Sequence, residues 1–127
     1  MNAETTGNQY SVEEQLQQLD EALALSRVGG DEELLREVVE LFLEDYPHIL
    51  EKIRSAVTAG DATALEHSAH SLKGSVSTFG AQRSYEAAFE LEKQGRSGNL
   101  INSAADLSKL EAALATLRPE LEALHSR

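Results

Sequence analysis

The feature that most restricts the fold of this chain is an apolar stripe that repeats every three or four residues between Asp31 and Gly60. Such a period places apolar side chains along one face of a helix. Because the stripe stays in phase across Pro47, we expect one long helix through the proline. Asp31 can cap this helix by accepting from the backbone N–H of Glu33 or Leu34. The stripe consists of Leu35, Val38, Val39, Phe42, Tyr46, Ile49, Leu50, Ile53 and Val57.

Glycines and capping residues divide the rest of the chain into four further helices. The first expected helix opens on a Ser-x-x-Glu capping box, and the last carries leucines at spacings of three and four. A Gly-Asp pair starts the helix that follows the long one. The four expected helices run from Ser11 to about Arg27, from Asp61 to before Gly80, from about Ala81 to Gln94 with Gly95 and Gly98 ending it, and from Asn102 or Ser103 towards the C-terminus.

Composition favours an all-α fold in one domain. The chain has 127 residues, 41% of them hydrophobic, with few aromatic residues and two prolines, which is typical of a helical bundle and not of a β-sandwich. Short connections between helices place neighbours antiparallel. We therefore predict an antiparallel four-helix bundle with an additional N-terminal helix over residues 11–127, preceded by a flexible tail at 1–10. One bundle accounts for the leucine seams, so we expect a monomer.

Charge and cysteine content exclude several functions. The formal net charge is −11, from 22 acidic and 11 basic residues, and it would repel nucleic acid and anionic lipid. The chain has no cysteine, which excludes a disulfide framework and a cysteine metal site. No leader pattern and no apolar run of about 20 residues is present. We expect a cytoplasmic protein that binds neither nucleic acid nor membrane.

The third helix carries the candidate reactive residue, His70. At about 100° per residue, His70 lies on the side away from the core. Gly74 projects on the same side, where a mid-helix glycine costs about 1 kcal/mol relative to alanine and is most simply explained by a need for space. Lys73 stands one turn away as a cation for an arriving anion. The core side of this helix consists of Leu65, Ala69, Leu72, Val76 and Phe79.

The fourth helix has two faces. Its small-residue face can pack closely in the core, and the other stripe contains Tyr85, Phe89, Glu92 and Arg96. The two aromatic residues are either ordinary core or part of a docking patch near His70. In the second case Glu92 would orient the imidazole and Arg96 would add positive charge. The small-residue face consists of Ala81, Ser84, Ala88, Leu91 and Gly95.

Metal binding and enzymatic catalysis have less support. His67 and His70 are three residues apart and Glu66 is close, but the pair lacks a convincing third ligand and the i, i+4 spacing of helical zinc motifs. We therefore predict no metal site. The sequence has no Gly-rich phosphate loop and no recognisable ATP-binding signature. An autokinase would require an ATP-binding domain that these residues do not contain.

The run Ala69-His70-Ser71-Leu72-Lys73-Gly74-Ser75, followed by Phe79-Gly80-Ala81 and Leu91-Glu92, resembles the histidine-containing phosphotransfer (HPt) domain of multistep two-component phosphorelays. Gly29-Gly30-Asp31-Glu-Glu-Leu-Leu-Arg and Leu41-Phe-Leu-Glu-Asp-Tyr-Pro47 also match that family's usual second helix. The resemblance covers about residues 18 to 125.

The resemblance implies a phosphocarrier in signal transduction. His70 would accept a phosphoryl group from the aspartyl phosphate of a receiver domain in a hybrid histidine kinase and pass it to a response-regulator aspartate. Lys73 would stabilise the phosphate, and Gly74 would give the partner clearance. Glu92 matches the position of the residue that orients the imidazole. No resident cofactor is implied, since the receiver is expected to bring Mg²⁺.

Other residues around the histidine are candidates for partner binding: His67, Ser71, Ser77, Tyr85, Phe89 and Arg96. The alternative function is a helical adaptor bundle that binds receiver-like partners without phosphotransfer. The intact His70, Lys73 and Gly74 argue against that alternative. The sequence leaves open whether the chain is a free-standing shuttle or a piece of a hybrid sensor kinase.

Overall fold

The computed structural model of the protein describes residues 18–127, which contain five helices and no strand. The long helix and the helix that carries His70 both run as predicted. The five helices are α1 (Glu21–Arg27), α2 (Glu32–Ala59), α3 (Ala62–Ser77), α4 (Gln82–Ser97) and α5 (Ser103–His125).

Helices α2 to α5 form the predicted bundle. Each of the four packs against two others, in the order α2, α3, α4, α5 and back to α2, while α1 contacts α2. Short connections alternate the direction of successive helices. The predicted core side of α3 is confirmed, because all five of its residues are buried: Leu65, Ala69, Leu72, Val76 and Phe79. Because this side of α3 faces the core, the opposite side, which carries His70, faces solvent.

Aspartate caps fix where three helices begin. The Asp31 carboxylate accepts from the backbone N–H of Leu34 at 3.0 Å, one of the two predicted donors. Asp20 and Asp61 cap α1 and α3 in the same way. Helix α2 continues through Pro47 without interruption, because the residues on both sides belong to one buried stripe. The caps and the stripe together align α2 beside α3.

The predicted helix from Ser11 to about Arg27 is wrong at residues 18–20 and is confirmed from Glu21 to Arg27. Residues 18–20 are not helical, and α1 begins only at Glu21. Their backbone amides bond elsewhere: Leu19 donates to a Glu120 carboxylate oxygen at 2.8 Å, and Asp20 donates to the carbonyl of Phe79 at 2.9 Å. These long-range partners replace helical hydrogen bonds. The predicted tail at 1–10 and residues 11–17 lie outside the described residues.

The prediction that α4 ends at about Gln94, before Gly95, is also wrong, since the helix continues to Ser97. The predicted stop at Gly98 is confirmed, because Gly98 caps the helix with φ +81°. Gly95 is buried against α3. A Cβ atom at that position would lie 2.5 Å from the backbone nitrogen of Glu66 and 2.7 Å from the carbonyl oxygen of Ala62. The glycine therefore permits close contact between α3 and α4 and does not end the helix.

Within residues 18–127, no helix is long and apolar enough to cross a membrane.

Candidate functional site

His70 lies on the exposed side of α3, with 67% of its side chain accessible to solvent. Its Nδ1 atom is 3.0 Å from Oε2 of Glu92 on α4. An ionised carboxylate can only accept a hydrogen bond, so Nδ1 carries the hydrogen and donates it. In the neutral ring the free lone pair is then on Nε2. The imidazole is held at one nitrogen by the protein, and its other nitrogen keeps a free lone pair.

Glu92 is buried, with 2% of its side chain exposed, and it contacts three basic side chains. Besides His70, its Oε1 lies 2.8 Å from Nζ of Lys73, and its Oε2 accepts from Nη2 of Arg96 at 2.6 Å. Arg96 also donates to Glu66 at 3.1 Å. Helical periodicity predicts Glu92 on the same stripe of α4 as Tyr85 and Phe89, but Glu92 is buried whereas those two residues are only half-buried. A buried carboxylate is stable here because its neighbours compensate its charge.

The charge state of Glu92 follows from two opposing effects. Burial raises the pKa of the carboxyl, but the contacts and positive charges of Lys73 and His70 lower it by more. The pKa of Glu92 therefore lies below its ordinary value. The carboxylate is ionised at neutral pH, and this supports the direction of the hydrogen bond from His70.

Lys73 is held against α4, with only 17% of its side chain exposed. Its Nζ atom lies 4.6 Å from the centre of the Phe89 ring and 5.8 Å from that of Tyr85. Both rings are half-buried, so they are neither fully core nor fully exposed. They form a surface that supports the lysine through cation–π contact.

The family model of the Hpt domain matches residues 37–123, most of the chain. The chain belongs to the Hpt domain family. A solved structure, histidine-containing phosphotransfer protein B (HptB) from Pseudomonas aeruginosa PAO1, is 31% identical and has a TM-score of 0.80. The match covers 87% of this chain and 96% of that one. No curated protein matches the chain at a significant level.

Family membership establishes the general function of the chain. An Hpt domain is a phosphotransfer intermediate in two-component phosphorelays, not a kinase, and its partners are receiver domains of response-regulator type. The predicted fold and family are both confirmed.

In this Hpt domain, the space beside His70 is open at Gly74. A Cβ atom built on Gly74 would meet no atom within 4 Å, so the residue is not needed for packing within residues 18–127. Clearance for a partner stays a prediction, and the open surface agrees with it. Gly74 and Gly95 thus differ: one faces open space and the other faces a neighbouring helix.

The remaining predicted partner residues are distributed around His70. The exposed His67 makes no hydrogen bond or ion pair within the described residues, where no group of three possible ligands could hold a metal ion. Ser71 is exposed. The Ser77 hydroxyl donates to the carbonyl oxygen of Gly74 at 2.7 Å. Ser77 therefore makes no hydrogen bond to His70 in the described structure, and its part in partner binding stays a prediction.

Sequence reasoning missed a groove between α2 and α3 that starts at Ser71, next to His70. Leu41 on its α2 side is 59% exposed. The sequence signal that could have revealed the groove was Leu41, an apolar residue that lies outside the predicted stripe of α2. The groove is lined by Val38, Leu41, Phe42, Asp45, Ile49, Ser71, Ser75, Thr78 and Phe79. His70 thus has an ionic cluster on its α4 side and a groove with both apolar and polar lining on its α2 side.

Proposed function

We propose that this chain is a phosphocarrier in which His70 is the phosphoryl acceptor and donor. The observation that carries the proposal is the exposed imidazole whose Nδ1 is bound to a buried carboxylate. This arrangement presents Nε2 to solvent as a nucleophile of fixed orientation. The phosphoryl group comes from the aspartyl phosphate of a receiver domain in a hybrid histidine kinase and goes to the aspartate of a response regulator.

The transfer needs no proton to leave the ring. The Nε2 lone pair attacks phosphorus, an N–P bond forms, and the P–O bond to the receiver aspartate breaks with its electron pair staying on that carboxylate. The hydrogen on Nδ1 remains there, shared with Glu92, so the ring becomes positively charged. In the reverse direction the ring leaves as neutral imidazole. Phosphoryl transfer of this kind depends mainly on positioning and charge.

Lys73 stabilises the charge of the phosphoryl group in this proposal. Its ammonium forms an ion pair with Glu92 in the unphosphorylated protein. Because the side chain is flexible, the ammonium can move from that carboxylate to the phosphate oxygens. Arg96 adds positive charge on the same side of the imidazole. Gly74 leaves room for the receiver to approach the ring.

The receiver docks over His70 and the groove between α2 and α3, and it brings the Mg²⁺ that assists the chemistry. The continuity of the groove with Ser71 supports this placement. The proposal assigns no ATP-binding or kinase activity to the chain itself. We also propose that the protein is a monomer and that it is cytoplasmic. The monomer is proposed because one bundle buries the leucine seams and phosphotransfer pairs the chain with one receiver at a time.

The test is incubation of the protein with a phosphorylated receiver domain and Mg²⁺, followed by assay for acid-labile, base-stable label. We expect label on the wild type and none on His70→Gln, with both variants equally helical by circular dichroism. No label on the wild type would favour the adaptor alternative. Label retained by His70→Gln would show that another residue accepts the phosphoryl group.

A further inference from the structure

The carboxylate of Glu92 does more than orient the ring once a phosphoryl group is present. We infer that Glu92 biases phosphorylated His70 towards releasing its phosphoryl group, so that the phosphorylated form is short-lived. The inference rests on the proposed function and concerns the phosphorylated state of the same site. It follows from two features of the contacts around Glu92.

The first feature is that the cations of the site are already paired in the unphosphorylated protein. Lys73 contacts Glu92, and Arg96 contacts both Glu92 and Glu66. A phosphoryl group on His70 must compete with these carboxylates for the same cations. Transfer leaves the ring with one positive charge, so Glu92 repels the phosphoryl oxygens while it attracts the ring, and both interactions are poorly screened by water. The competition and the repulsion act on the phosphoryl group and favour its release, whereas the attraction acts on the ring.

The second feature is the hydrogen bond from Nδ1. A phosphorylated ring that keeps its Nδ1 hydrogen leaves as neutral imidazole, whereas a ring without it must leave as an anion. The negative charge of Glu92 favours retention of that hydrogen by the phosphorylated ring. The groups facing Glu92 are His70 and Lys73 from α3 and Arg96 from α4. Glu66 does not pair with Glu92 but shares Arg96 with it. The carboxylate thus makes the ring a better leaving group.

Glu92→Gln separates charge from orientation. The amide oxygen of glutamine can still accept from Nδ1, but the amide brings no negative charge. Glu66→Gln is the matched control, because it removes the same charge near Arg96, whereas Glu66 makes no hydrogen bond or ion pair with His70 or Lys73. The control variant releases one contact of Arg96 only, so it should lengthen the lifetime less than Glu92→Gln does.

The measurement is the rate at which phosphohistidine is hydrolysed after loading by a phosphorylated receiver and removal of that receiver. Water then attacks phosphorus, the N–P bond breaks, and inorganic phosphate is released. The rate is followed by ³¹P NMR from about pH 5 to about pH 9. We expect Glu92→Gln to keep its label about fivefold to tenfold longer at neutral pH, because without the carboxylate the phosphorylated ring retains its Nδ1 hydrogen less often. The fall of the rate at higher pH should begin at a lower pH in this variant.

Several results would overturn the inference. One is an unchanged or shorter lifetime in Glu92→Gln; another is a lengthening that Glu66→Gln shows equally. A Glu92→Gln protein that takes no label, beside a labelled wild type, would show that the negative charge is needed for phosphorylation itself, and it would also overturn the inference. If the wild type takes no label, the proposed function itself fails.

A second measurement needs no variant. The hydrolysis rate of the labelled wild type is compared in buffer and in urea sufficient to unfold the bundle. The inference predicts faster hydrolysis in the folded protein at neutral pH, since only the folded chain places Glu92 on Nδ1. Equal rates, or slower hydrolysis in the folded state, would contradict it.

Discussion

At the scale of single residues, Glu92 links the reactive histidine to the stability of the fold. It is the buried acceptor of contacts from His70, Lys73 and Arg96. The same contacts that orient the imidazole also compensate the cost of burying a charge. A change at Glu92 therefore alters both chemistry and stability, and the two effects have to be measured separately.

Acid should weaken the contribution of Glu92 to stability. The pKa of Glu92 is below its ordinary value of 4.5 in the folded protein, so its contribution is fully present above about that pH and is lost as the pH falls through the folded value. We expect the difference in free energy of unfolding between wild type and Glu92→Gln to shrink as the pH falls below 4.5. Urea denaturation at several pH values measures this. A difference that grows in acid would mean that burial, and not the cations, controls the pKa.

The sequence predicted the exposed position of His70 but not the burial of Glu92. Helical periodicity assigns a residue to a face of its own helix, and by that rule Glu92 belongs with Tyr85 and Phe89. Its burial depends on how closely α3 and α4 approach each other, whereas periodicity describes one helix at a time. The docking-patch interpretation of this helix and the resemblance to a family both indicated that Glu92 reaches the imidazole, but neither indicated that Glu92 is buried.

At the scale of helices, the close contact of α3 and α4 at Gly95 places Glu92 beside His70. Glu92 lies one turn before Gly95 on α4, and His70 lies one turn after Glu66 on α3, whose backbone Gly95 faces. The sequence marked Gly95 as a helix end because glycine often follows the last turn. A glycine needed for close packing gives the same sequence signal, so periodicity alone could not distinguish the two.

Alanine at the two glycines should have opposite effects. Gly95→Ala introduces a Cβ atom into the backbone of α3 and should destabilise the bundle by about 1–3 kcal/mol, and it should lower the rate of labelling at His70. Gly74→Ala adds a methyl group in open space and should stabilise α3 by up to about 1 kcal/mol. Thermal denaturation of both variants measures the difference. Equal stabilities would refute the role given to Gly95.

At the scale of the whole molecule, contacts between distant parts of the chain complete the ends of the helices. Helix α4 has no side-chain cap of its own. The Oε1 atom of Gln18 accepts instead from the backbone N–H and hydroxyl of Ser84, at 3.0 and 2.7 Å. Its Nε2 atom donates to the carbonyl of Ala113 at 2.6 Å. Local capping rules could not predict this, because the acceptor lies 66 residues from the donor in sequence.

The receiver should lose affinity when the groove beside His70 becomes polar. Leu41→Gln removes an exposed apolar side chain from that groove, and we expect about tenfold weaker binding of a receiver domain. Ile101→Gln is the matched control, because Ile101 is 83% exposed outside the groove. Isothermal titration calorimetry compares the two variants. Equal affinities would place the docking surface elsewhere, and a loss of stability in Leu41→Gln alone would give that residue a structural role.

The central claim is that the phosphoryl group is carried on Nε2 of His70, because Nδ1 is bound to Glu92. The most direct measurement is ¹⁵N–³¹P NMR of the labelled protein, which identifies the phosphorylated histidine and the nitrogen that bears phosphorus. The account predicts one phosphohistidine, at His70, with phosphorus on Nε2 and the Nδ1 hydrogen retained. Phosphorus on Nδ1, or on any other histidine, would contradict it.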